Sequence, residues 1–133
     1  MKNINYIKAY TNKIVINNIK TIEMSIVDYL DLLLLKQLTT YQGRIDSIKK
    51  IYGIKKLVPI YIDPNINLFP VYNLKDYENI YINVVNILKV KKHKNSSLIC
   101  FKGGDELLID KNITILNKYI KRALRINHNS WFI

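Results

Sequence analysis

The chain has 133 residues, 49% of them hydrophobic and 23% charged, with a formal net charge of +11. That composition suits one domain, residues 1–133, with a hydrophobic core, and excludes a disordered tail. No apolar run nears the ~20 residues that span a bilayer, the start MKNINYIKAY lacks the apolar centre of an export signal, and the lone Cys100 excludes an internal disulfide and suits a reducing cytoplasm.

In chain order, KIVINNI (Lys13 to Ile19) is β-branched and reads as a strand. Ser25 is the expected N-cap of a helix from Ile26 to about Leu38, with Ile26, Tyr29, Leu30, Leu33 and Leu34 on its apolar face and Asp28 and Asp31 suiting its first turns. The stretch TTYQGR breaks that helix at Thr39–Thr40 and Gly43, and an irregular corner is expected there. RIDSIKKIYGI then places Ile45, Ile48, Ile51 and Tyr52 at helical spacing, with Gly53 as the stop, although an irregular strand also fits this run.

From Lys56 the period changes. LVPIYI (Leu57 to Ile62) is strand-like, with Pro59 favouring a sheet edge, and Asp63–Asn65 is a turn. LFPVY follows as a short extended piece, and ENIYINVVNILKVKKHK supplies one or two strands. After the NSS turn come LICFK, a turn at Gly103–Gly104, and ELLID. The last element is a helix from Ile113 to about Arg125, capped by Asn112 or Asp110. Ile113, Leu116, Ile120, Ala123 and Leu124 form one side of it; Lys118, Lys121, Arg122 and Arg125 form the other. The tail is expected to fold back over Trp131 and Phe132. The fold class is α+β: a small, mostly antiparallel meander packed with two or three helices.

Lysine, isoleucine and asparagine crowd the sequence, so basicity alone says little; the grouping of the charge says more. Residues 44–56 hold Arg44, Lys49, Lys50, Lys55 and Lys56 against Asp46. Residues 87–102 hold Lys89, Lys91, Lys92, Lys94 and Lys102 with no acid, and residues 111–125 hold Lys111, Lys118, Lys121, Arg122 and Arg125 with none. Gathered cations are what a polyanion-binding surface requires. Chemistry finds no comparable footing. His93 and His128 have no ligand company, so neither a metal nor a cofactor is expected. KGGDE lacks the Gly-Lys-Ser/Thr ending of a phosphate loop and reads as a hairpin turn, and no nucleophile–base pair stands out, so no enzyme is expected.

TYQGR, KLVPIYIDPN, LFPVY, YINVVNILKVKK, SLICFKGGDELLID and ITILNKYIKRAL, in that order, resemble the competence transcription factor (ComK) family from about Lys13 to Arg125. Its more specific elements are Tyr41/Gly43/Arg44, Pro59/Ile60, Phe69/Pro70 and Phe101/Gly104. The stretch LLLLKQLTT departs from the family by lacking a cysteine, Tyr81 stands for a tryptophan, and a chain stopping at Ile133 is expected to lack the C-terminal extension of longer members.

The resemblance implies a cytoplasmic, self-associating DNA-binding regulator of AT-rich sites that uses the minor groove, with other regulators or degradation adaptors as further partners. Narrow A-tract minor grooves attract arginine, so Arg44 after Gly43 is the expected groove reader, buttressed by Tyr41. Arg44 could instead bind a carboxylate such as Asp46. Lys49, Lys50, Lys55 and Lys56 join this candidate surface. On a strand, Lys89 and Lys91 face opposite to Lys92 and Lys94, so only a subset is expected on phosphate. Arg122 and Arg125 rank third, since a basic helix stripe is often merely solvated. Two alternatives remain open at this point: single-strand or RNA binding on an aromatic sheet, given ten tyrosines, and a protein-interaction module.

Overall fold

Side chains alternate across a strand, so a sheet with apolar residues at both odd and even positions must be covered on both faces. The computed structural model, which describes residues 3–73 and 78–127, meets that demand with three layers. Six antiparallel strands form the middle one: β1 (Tyr6–Ala9), β2 (Ile14–Ile16), β3 (Lys20–Ile22), β4 (Ile60–Asp63), β5 (Ile66–Pro70) and β6 (Asn79–Asn83), ordered β3-β2-β1-β6-β5-β4. The meander expected from LVPIYI to ELLID is antiparallel but divides: β4, β5 and β6 join the large sheet, and β7 (Ile87–His93), β8 (Ser96–Phe101) and β9 (Glu106–Ile109) form a second.

One face of the large sheet carries Ile7, Ile14, Ile16, Ile60, Ile62, Leu68 and Tyr81. Helices α1 (Ile26–Leu34) and α2 (Tyr41–Tyr52) cover it with Tyr29, Leu30, Leu34 and Ile45. The other face carries Tyr6, Phe69 and Ile82, which meet Ile99, Phe101, Leu107 and Ile109 of the small sheet and Leu116 and Ala123 of α3 (Ile113–Leu124). The register follows the faces: Ile7 lies opposite Ile16 and Tyr81, and Tyr6 opposite Ile82.

Most local signals act as read. Ser25 Oγ accepts from the Asp28 amide at 3.1 Å and caps α1. Gly53 ends α2 at φ 69, where a glycine avoids the Cβ clash of the left-handed region. Asn112, not Asp110, caps α3 by accepting from the Ile115 amide at 2.9 Å. β4, preceded by Pro59, lies at the sheet edge.

Three readings change. The strand expected over Lys13–Ile19 stops at Ile16, because Asn17 (φ 55) and Asn18 (φ 59) turn the chain into β3. TTYQGR forms no irregular corner: α2 begins at Tyr41, directly after its N-cap Thr40. And β1, for which the sequence offered no strand signal beyond YIKA, lies near the sheet centre between β2 and β6. The expected fold-back at Trp131 and Phe132 lies outside the described residues.

Buried asparagines join the layers. Asn83 is wholly buried (0% exposed). Its Oδ1 accepts from the amides of Asn67 (3.0 Å) and Val85 (3.3 Å), and its Nδ2 donates to the carbonyls of Ile4 (2.7 Å) and Asn65 (2.9 Å). Asn67 Nδ2 donates to the carbonyls of Ala123 (2.9 Å) and Ile126 (3.2 Å), tying β5 to the end of α3. An unmade bond to a buried backbone group costs ~1–3 kcal/mol. Asn83→Ala is therefore expected to lower unfolding free energy by at least about 2 kcal/mol in urea titration, while the exposed Asn117→Ala stays within about 0.5 kcal/mol.

Candidate nucleic-acid interface

The arginine of TTYQGR owes its position to the helix start before it. Thr40 Oγ1 accepts from the Gly43 amide at 3.0 Å. A Cβ on Gly43 would stand 3.0 Å from Thr39 Oγ1 and 3.3 Å from Thr40 Oγ1, so two hydroxyls crowd this position and a glycine relieves them. The Tyr41 amide donates to Asp31 Oδ1 at 2.7 Å, fixing α2 against α1.

So oriented, Arg44 points inward. It is 8% exposed, and one terminal nitrogen donates to the Tyr61 carbonyl at 2.6 Å while the other donates to Gln37 Oε1. Gln37 Nε2 in turn donates to the Ile62 carbonyl. Burial pulls the guanidinium below its ordinary pKa, and burial likewise raises the Tyr41 hydroxyl. The outward, groove-entering Arg44 expected from the sequence is thus corrected: a first-turn position on the sheet-facing side of α2 aims the side chain at β4.

Arg122 is a second internal anchor. Its NH2 group donates to the Leu57 carbonyl at 2.9 Å, its guanidinium carbon lies 5.6 Å from the Tyr119 ring centroid, and burial lowers its pKa. Leu57 sits at φ 50, a conformation costly for a branched side chain, and the Arg122 bond holds the loop there.

These anchors shape a groove of about 560 Å³ between α2, the α2–β4 loop and the end of β5. Tyr41, Ile45, Leu57, Val58, Pro70 and Val71 give it an apolar floor, and Lys49, Lys55, Lys56 and Lys111 give it four ammonium groups. Among the described residues no acidic side chain lines it, and the charged side chains that do are all cationic. Lys111 ranked outside the candidate residues although it stands in the third basic cluster; only folding brings it beside the α2 lysines.

The other candidates divide. Lys92 lies opposite Ser97, whose Oγ donates to the Lys111 carbonyl at 2.8 Å, so this end of the β7–β8 hairpin adjoins the groove. Lys94 occupies the exposed hairpin turn at φ 56. Lys89 and Lys91, opposite Cys100 and Leu98, stand on the other face of the small sheet. Lys50 is exposed on α2, and Arg125 is exposed with Lys118 and Lys121 on α3. Among the described residues every tyrosine is buried or half-buried.

Comparison with known families gives a match over most of the chain. The family described as ComK protein matches residues 3–130, nearly the whole chain, and the chain belongs to that family of competence transcription factors. No curated protein and no solved structure gives a match.

The division between buried arginines and exposed lysines is open to measurement. Arg44→Lys, which cannot hold the Tyr61 carbonyl and Gln37 with one fork, is expected to lose about 1–3 kcal/mol of stability in urea titration. Lys55→Ala and Lys56→Ala are expected to stay within about 0.5 kcal/mol of the parent.

Proposed function

We propose that this ComK family member regulates transcription in the cytoplasm as a self-associating protein. It binds AT-rich duplex DNA through its lysine groove, with the β7–β8 hairpin beside that groove entering the minor groove. The cluster of Lys49, Lys55, Lys56 and Lys111, with no acid in the groove among the described residues, carries the reading. Four ammonium groups on one concave surface match a curved row of phosphates, and lysine makes that contact as a strongly hydrated point charge. Lys92 and Lys94 extend the cationic surface along the hairpin. A narrow A-tract minor groove concentrates negative potential, so cations entering it read AT content through groove width. Arg44 and Arg122 act behind this surface by holding β4 and its lead-in loop. Other regulators or degradation adaptors would dock elsewhere on the chain.

Titration of short AT-rich and GC-rich duplexes at several salt concentrations tests the proposal. Tighter binding to AT-rich duplex is expected, with log affinity falling by ~0.9 per neutralised phosphate for each unit of log salt. The Lys55→Ala/Lys56→Ala pair is expected to flatten that slope by about 1.8 and weaken both duplexes alike. Lys92→Ala/Lys94→Ala is expected to narrow the gap between them. Unchanged affinity and slope in the first pair would remove the groove from the interface.

A further inference from the structure

Among the described residues the two sheets have four edge strands, β3 and β4 on the large sheet and β7 and β9 on the small one. An edge strand offers unpaired amides and carbonyls to any strand that can lie beside it. β4 is closed to that use. Its pairing bulges between Tyr61 and Asp63, and Arg44 and Gln37 take the carbonyls of Tyr61 and Ile62. β3 has only three residues and β9 four. β7 differs from all three. It runs for seven residues, of which Leu88, Lys89, Lys91, Lys92 and His93 are exposed. From Leu88 to His93 its backbone bonds, among the described residues, run to β8 alone.

We propose that the open edge of β7 takes an extended segment of another protein in which acidic and apolar residues alternate. Side chains directly opposite each other across a ladder share a face of the sheet. Lys89 and Lys91, opposite Cys100 and Leu98, stand on the outer face, and His93, opposite Ser96, ends the same line. Ile87 and Val90 stand on the inner face, half-buried against the core. A strand laid beside β7 therefore sets every second side chain next to Lys89 and Lys91, where a carboxylate is favoured. The side chains between them lie next to Val90, where an apolar group extends the buried layer. Glu106 shares the outer face but belongs to β9, on the far side of β8, and leaves the lysines of the edge unopposed. The same charges exclude β7 of a second copy, because lysine would then face lysine. A phosphate chain answers the charge but has no amide to donate into a ladder, so the edge selects a protein strand. Lys89 and Lys91 have no part in the duplex reading, and neither proposal rests on the other.

Titration of the whole chain, without DNA, against a labelled peptide as long as β7 and alternating glutamate with valine decides it. Saturable binding by fluorescence anisotropy is expected, with slowed amide exchange in β7. Two altered peptides are expected to bind at least about tenfold more weakly. One has the same composition with its glutamates grouped, which breaks the alternation; the other is N-methylated throughout, which removes its ladder donors. Lys89→Glu/Lys91→Glu is expected to weaken the glutamate peptide by about tenfold and to bind a lysine–valine peptide that the parent does not. Should that variant fail to fold, the altered peptides decide alone. A parent that binds no peptide, equal binding of either altered peptide, or a folded variant that keeps the glutamate peptide would each overturn the proposal. Duplex titration of the parent separates the two readings: DNA binding without peptide binding removes this edge and leaves the groove, and the reverse result removes the groove alone.

Discussion

The position of β4 rests on two inward-turned guanidinium groups, that of Arg44 buried and that of Arg122 half-buried. Arg44 reaches it from α2 through the Tyr61 carbonyl, and Arg122 reaches its lead-in loop from α3 through the Leu57 carbonyl. An edge strand has one unpaired side, and β4 is joined to the sheet through β5 alone. The two anchors therefore supply from helices what a second neighbouring strand would otherwise supply. Lys55 and Lys56 ride on the same loop, so the Arg122 bond to the Leu57 carbonyl helps to place them along the groove.

This gives the chain's uneven use of cations a physical basis. A guanidinium keeps its charge when half-buried and presents several donors in a fixed plane, which suits carbonyl groups fixed in a protein interior. An ammonium is more strongly hydrated and loses more on burial, so lysine is left for the surface. Two of the three arginines serve as internal fasteners, and the groove is lined by lysine alone among the basic residues. The third, Arg125, is exposed at the end of α3. Asparagine has a parallel internal use. Asn83 uses both the donor and the acceptor of one short side chain, and Asn67 its amide donor, to satisfy backbone groups of neighbouring elements.

Elements whose signal is local were legible in the sequence. Ser25 and Asn112 cap helices because a hydroxyl or amide oxygen three residues ahead of an amide is sufficient geometry. Gly53 stops α2 because a left-handed residue there needs no Cβ. The small sheet was read as a meander from its turns. β1 was not, since YIKA is too short to show a period and owes its place to pairing with β2 and β6.

The sequence by itself determined the α+β class, the helix caps at Ser25 and Asn112 and the stop at Gly53, the family-specific motifs and the segments in which positive charge is gathered. Tertiary structure alone decided which charges point where. Arg44 lies within a basic segment, yet helix phase turns it inward, and Lys111 joins lysines more than fifty positions away because the strand–helix junction carries it to the groove. Charge is a property of residue type and can be read in one dimension. Direction and neighbourhood depend on helix phase and strand pairing, which are settled only when the layers pack.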